Sequence, residues 1–127
     1  MSDLRTPLSK VRGHGAANEG VKHHIAARVS AIILALITPF FIWGLVKALP
    51  SGYDGLMAWI SAPFGAFTWL VFITAGLCHG RLGMNEVILD YSSSHGSRTF
   101  FILLNTIASA GFWLVGVLAI LKIWLGA

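Results

Sequence analysis

Three stretches of this sequence carry no charged residue and are dominated by large apolar side chains. They are residues 29–46, bounded by Arg28 and Lys47, residues 55–80, bounded by Asp54 and Arg81, and residues 99–121, bounded by Arg98 and Lys122. Each reaches the roughly 18–20 residues that a helix needs to cross a hydrocarbon layer about 30 Å thick. No water reaches backbone groups in that layer, so a spanning segment must satisfy them internally, as helix or closed barrel. Runs this long predict helices. Composition agrees: 11% of residues are charged, against about 25% in a soluble domain. Three spans use most of the 127 residues. The expected fold class is therefore all-α, an integral membrane protein with three transmembrane helices at about 23–49, 62–90 and 98–125. These form one membrane domain over 23–127, preceded by a polar tail over 1–22 that is free or ordered by a partner. Polar sequence runs to about His24 before the first span, so the N-terminus does not read as a secretory signal.

Local signals fill in the boundaries. Pro39 predicts a bend in the first span. Residues 50–55, Pro-Ser-Gly-Tyr-Asp-Gly, predict a turn. Residues 56–61 read as a short interfacial helix, with Tyr53 and Trp59 at headgroup level. Pro63 suits a first helical turn, and residues 92–97 read as a loop. The net charge of +4 reads as membrane flanks, with no nucleic-acid partner implied. Arg5, Lys10, Arg12, Lys22, Arg28 and Arg98 fall on one side, whereas Lys47 and Lys122 fall on the other. The positive-inside rule then places the N-terminus in the cytoplasm, or the matrix of a mitochondrion, and the C-terminus outside. The single cysteine, Cys78, excludes an internal disulfide and a cysteine-cluster metal site, and reads as a small packed residue. There is no internal repeat of the kind that builds inverted-repeat transporters.

The most specific feature is the segment 77–91. At about 100° per residue, His79, Gly83, Glu86 and Asp90 fall within about 60° on one helix face. If Asp90 marks the inner boundary, His79 lies about 16 Å deeper, close to mid-membrane. An ionisable group at that depth is costly and marks a functional site by default; the competing reading is a neutral histidine bonded to another helix. Neutral imidazole is a good axial ligand for haem iron. Gly76, Gly80 and Gly83 would leave room beside it for a flat macrocycle, although Gly76 and Gly80 also form the G-x-x-x-G of simple helix packing. No other histidine reaches that depth: His14, His23, His24 and His95 belong near the surface. A bis-histidine haem would thus need its second ligand from another chain. Arg28, with His24 one turn earlier, suits anionic propionates; the alternative for Arg28 is a snorkelling anchor. Asp90 and Tyr91 suit a quinone headgroup, which needs a hydrogen-bond donor and a route for protons; the alternative is a plain helix terminus with an interfacial tyrosine. Arg81 falls on the opposite face as an anchor, Glu86 stays open, and Asn105 reads as a bond between helices.

The pattern His79-x-x-x-Gly83 … Asp90-Tyr91 at the end of the second of three helices resembles the hydrophobic membrane anchor subunits of succinate dehydrogenase, the smaller anchor of complex II. The segment His24-x-x-x-Arg28-Val29-Ser30-Ala31 is similar to the start of that family's first helix. The resemblance implies that His79 is one axial ligand of a haem b shared with a second membrane anchor subunit. It implies that Tyr91 contacts ubiquinone, that Asp90 shapes that site, and that Arg28 lies near the haem propionates. It further implies an iron–sulfur subunit and a flavoprotein subunit as partners, a phospholipid setting, and the inner membrane of a bacterium in preference to that of a mitochondrion. Electrons would pass from succinate to quinone. Glu86 departs from the family, standing where an apolar residue is expected, and the serine-rich loop at 92–94 is blander than usual. The alternatives are a fumarate reductase anchor, a haem-free anchor of the same fold, or a structural subunit with no redox role. A proton or ion carrier is disfavoured, since the first and third spans lack a chain of ionisable residues.

Overall fold

The computed structural model describes residues 6–8 and 16–126. Over residues 16–126, four α-helices follow one another: α1 (Ala16–Ala48), α2 (Gly52–Ser61), α3 (Pro63–Tyr91) and α4 (His95–Leu125), with a 3-10 turn, Leu49–Ser51, between the first two. No strand occurs among the described residues. Three segments are long and apolar enough to cross a membrane: Gly20–Ser61, which joins α1 to α2, then Pro63–Tyr91 and His95–Leu125. The all-α, three-span expectation holds. At 1.5 Å per residue, α3 is about 43 Å long, so it tilts or projects beyond a hydrocarbon layer of about 30 Å.

The boundaries follow from local chemistry, and three differ from the sequence reading: α2 starts at Gly52, inside the expected turn 50–55 and ahead of the expected 56–61, and α4 and α1 also start early. Helix α3 starts where proline predicts: Ala62 is extended, with ψ 140°, and Pro63 occupies the first turn, where its missing N–H costs nothing. Helix α4 starts at His95 rather than 98. The Ser94 hydroxyl accepts from the Ser97 N–H at 3.2 Å, an N-cap that the serine run supplies. The connection shrinks to residues 92–94, which the Arg98 guanidinium braces by donating to the Ser92 carbonyl at 3.2 Å. Helix α1 starts at Ala16 rather than 23. A helix satisfies its own backbone, so it continues past the lipid wherever propensity allows, and Ala16, Ala17 and Glu19 favour it. The remainder of the expected tail, except residues 6–8, lies outside the described residues, as does His14. Helix α1 is continuous across Pro39. Gly52 makes the turn into α2 with φ 60°, a conformation that glycine adopts without a Cβ clash.

The spanning helices form a row. Helix α3 packs against both α1 and α4, whereas α1 and α4 do not approach each other among the described residues. The pairs His23–Glu86 and Ser30–His79 step in opposite directions along α1 and α3. Asn105–Asn85 and Trp113–Thr74 do the same along α4 and α3. Both neighbours are thus antiparallel to α3. The buried residues of α3, among them Gly65, Ala66, Thr68 and Ala75, are mostly small, as expected where backbones must approach without help from water.

Helix α2 closes one end of this row. It touches α1, α3 and α4, and its Ile60 is buried with Ala66 and Ile120. Trp59 packs against other rings of the chain. Its ring centroid lies 5.7 Å from that of Phe41 and 5.6 Å from that of Trp69. Phe41 in turn stacks on Phe72 at 3.9 Å. The reason is the space left by glycine: a Cβ on Gly44 would meet the Trp59 indole, and one on Gly65 would meet its backbone carbonyl. Tyr53 is exposed. The large exposed apolar residues, such as Leu36, Phe112 and Val115, give the outside of the row a surface that suits lipid or other membrane helices.

Because a backbone atom blocks the position, Gly65→Ala should destabilise the fold by about 1–3 kcal/mol. Thermal unfolding of the protein in detergent micelles reads this as a lowered Tm. Gly111→Ala, with nothing within 4 Å of its Cβ position, should leave Tm unchanged.

Candidate functional site

Away from α2 the row opens into a groove of about 660 Å³. Its walls include His23, His24 and Ala27 of α1, and His79, Gly83 and Glu86 of α3. Three residues singled out from the sequence, His79, His24 and Gly83, thus meet in one place. Gly83 has nothing within 4 Å of its Cβ position, so the groove floor beside the imidazole is bare backbone. Gly80 is likewise open, and Gly76 meets only a Leu34 methyl at 3.9 Å. The G-x-x-x-G is therefore not a tight helix-packing site within this chain.

The imidazole is held from one side. His79 Nδ1 lies 3.1 Å from the Ser30 hydroxyl. That hydroxyl donates to the Ala27 carbonyl at 3.0 Å. A serine has one proton to give. With that proton on Ala27, the oxygen can only accept from His79, which assigns the ring hydrogen to Nδ1. Nε2 then carries the lone pair, and no described residue bonds to it. Ser30 is 5% exposed, so both of its bonds offset the cost of burying a hydroxyl.

The other candidates are arranged differently. His23 Nδ1 lies 3.2 Å from Glu86 Oε1 at the groove mouth, so Glu86 has a partner within this chain. Arg28 is exposed and does not line the groove. Asp90 and Tyr91 end α3 and are exposed; Tyr91, at 87% exposure, points its ring away from the chain. By helix rise it stands about 18 Å along α3 from His79. The histidine and the Asp90-Tyr91 pair therefore lie well apart along α3. Cys78, expected to be packed, is exposed, because the groove-facing position belongs to His79. The described residues hold no cluster of three or more His, Cys, Asp or Glu suited to a metal ion.

Between α3 and α4 the Asn105 amide donates to the Arg81 carbonyl at 3.0 Å and to Asn85 Oδ1 at 2.8 Å, the interhelical role expected of Asn105. The Arg81 side chain lies on the other side of α3, beside Thr106 and Trp113. Sequence reasoning missed Ser30 and Asn85. One signal was available for Ser30: antiparallel spans bring residues of complementary register together, and a lone serine in an apolar run faces the lone mid-span histidine.

The chain is thus a polytopic membrane subunit that presents one free imidazole nitrogen at mid-span and a tyrosine at a helix end. It belongs to the succinate dehydrogenase/fumarate reductase transmembrane subunit family, whose match covers residues 2–123. It is similar to the succinate dehydrogenase hydrophobic membrane anchor subunit of Paracoccus denitrificans, with 32% identity over 96% of this chain and 94% of that one. The same-named subunit of Rickettsia conorii is 31% identical over 80% of this chain and 82% of its own. That of Rickettsia felis is 33% identical over 70% and 74%.

Proposed function

We propose that this subunit anchors a succinate:ubiquinone oxidoreductase in the bacterial cytoplasmic membrane, gives one axial ligand to a haem b, and forms one wall of the quinone site. The observation that carries this reading is the His79 imidazole, fixed by Ser30 with Nε2 free in an open groove. The residues fit the group. A neutral imidazole nitrogen is a haem ligand, Gly83 leaves room for a flat ring, and the second ligand comes from a partner anchor. His24 lines the groove and Arg28 follows one turn later on α1; the guanidinium suits a propionate carboxylate, with His24 as a second hydrogen-bonding group. When bound, such a haem accepts and returns one electron at a time. The chain's own residues hold the imidazole in one tautomer and leave one face of the groove for the partner.

Quinone reduction takes up two electrons and two protons. The Tyr91 hydroxyl suits donation to a quinone carbonyl oxygen, and the Asp90 carboxylate suits relaying a proton from water at the membrane surface. Both side chains are exposed, which favours a pocket completed by the iron–sulfur and second anchor subunits. The excess of Lys and Arg at the His24–Tyr91 end supports placing that end, with the N-terminus, on the cytoplasmic side. Succinate oxidation is favoured over the reverse reaction because the similar proteins carry the succinate dehydrogenase name.

Three measurements test this reading. The purified complex should show a low-spin b-type spectrum that His79→Ala abolishes; a wild-type complex free of haem refutes the ligand assignment. Tyr91→Phe should lower quinone reduction roughly 10-fold or more while sparing succinate oxidation by an artificial acceptor; equal quinone activity removes Tyr91 from the site. A reporter fused at the C-terminus should read out on the periplasmic side, and a cytoplasmic signal overturns the topology.

A further inference from the structure

The Ser30 hydroxyl lies where it can act on the groove through His79 without touching anything bound there. We infer that Ser30 is the positioning residue that sets the His79 tautomer and, resting on the haem reading above, tunes the haem iron through it. Ser30 sits on α1 and His79 on α3, so the contact at 3.1 Å is a bond between helices. Within its own helix the hydroxyl is already satisfied by Ala27 at 3.0 Å. Its oxygen is therefore an acceptor aimed across the interface. A neutral imidazole has two tautomers, and only the one with hydrogen on Nδ1 leaves the Nε2 lone pair for a metal. Donating the Nδ1 hydrogen to the Ser30 oxygen also leaves more electron density on the ring and makes Nε2 the stronger donor. Partners of this kind orient the ring and raise ligand basicity. A stronger donor favours the oxidised iron, so Ser30 holds the potential down.

Among the described residues, Ser30 is the one bonded to the ring. Of the other groove residues with hydrogen-bonding groups, Glu86 is engaged with His23 and Asn85 with Asn105. Burial makes the Ser30 bond count for more, since a 5%-exposed hydroxyl has little access to any other partner. A purely structural role, in which the bond only ties α1 to α3, predicts a loss of stability without a change in iron electronics.

The test compares Ser30→Ala, which removes the acceptor, with Ser30→Thr, which keeps it, in the whole purified complex. The readouts are redox potentiometry of the haem and haem loss to excess apomyoglobin, each normalised to flavin content. Ser30→Ala should raise the midpoint potential and speed haem loss roughly 10-fold or more. Ser30→Thr should stay near wild type in both. The inference is overturned if Ser30→Ala leaves the potential unchanged, or if Ser30→Thr shifts as far as Ser30→Ala. A wild-type complex without haem, or one whose haem spectrum survives His79→Ala, instead refutes the parent reading, so the two failures are distinguishable.

Discussion

Within a hydrocarbon layer, apolar surface gains nothing by leaving lipid for another helix, so close packing and the few polar bonds available must hold the spans together. This chain divides those two means between its ends. At the α2 end, Trp59 fills the space over Gly44 and against Gly65, and the ring of Phe41 stacks on Phe72. Toward the other end the side chains stop interlocking, and isolated bonds take over: Ser30 to His79, and Asn105 to Asn85 and the Arg81 carbonyl. Such a bond is worth about 0.6 kcal/mol on average in a folded membrane protein and about 1–2 kcal/mol in model membrane peptides. The open end is therefore the less tightly held one. That is also where the groove, His24 and Tyr91 are found.

Both candidate sites are incomplete in this chain for a physical reason. A single chain whose α1 and α4 do not meet cannot surround a ligand in the way a closed bundle does. The groove has walls from α1 and α3 and an open side, and Tyr91 faces outward. Membership of a family of transmembrane subunits agrees with surfaces that are finished only by other polypeptides.

Much of this was legible in the sequence. Charge-free runs and their flanking Lys and Arg fix the number of spans. Helical periodicity places His79, Gly83, Glu86 and Asp90 on one face; the structure lines the groove with the first three and leaves Asp90 outside it. Asn105 stood out because an amide in an apolar helix needs a partner. What escaped was the rotation and register of each helix against its neighbour. The spans are apolar on every side, so composition does not mark which side faces protein. The packing of Trp59 was not visible because the glycines that admit it lie 15 residues before it and 6 after it in sequence. Ser30 went unremarked as a bonding group because serine is small and its importance comes from what lies opposite. The early start of α1 was hidden by the habit of ending a span where polarity begins, although helix propensity extends beyond the lipid boundary.

The row arrangement also determines how substitutions are distributed along the chain. Among the long helices, only α3 has protein on two sides, so its surface has the least freedom to vary. It must hold small residues toward both neighbours while presenting His79 to one and Asn85 to the other. Helix α4, with Ile120 its one buried residue, accepts almost any apolar exchange on its outer face. A scan of variants across this gene would therefore show α3 sensitive on two sides and α1 on the one side that carries His24, Ser30 and Gly44, a pattern that reports the order of the helices in the membrane without any structure at all.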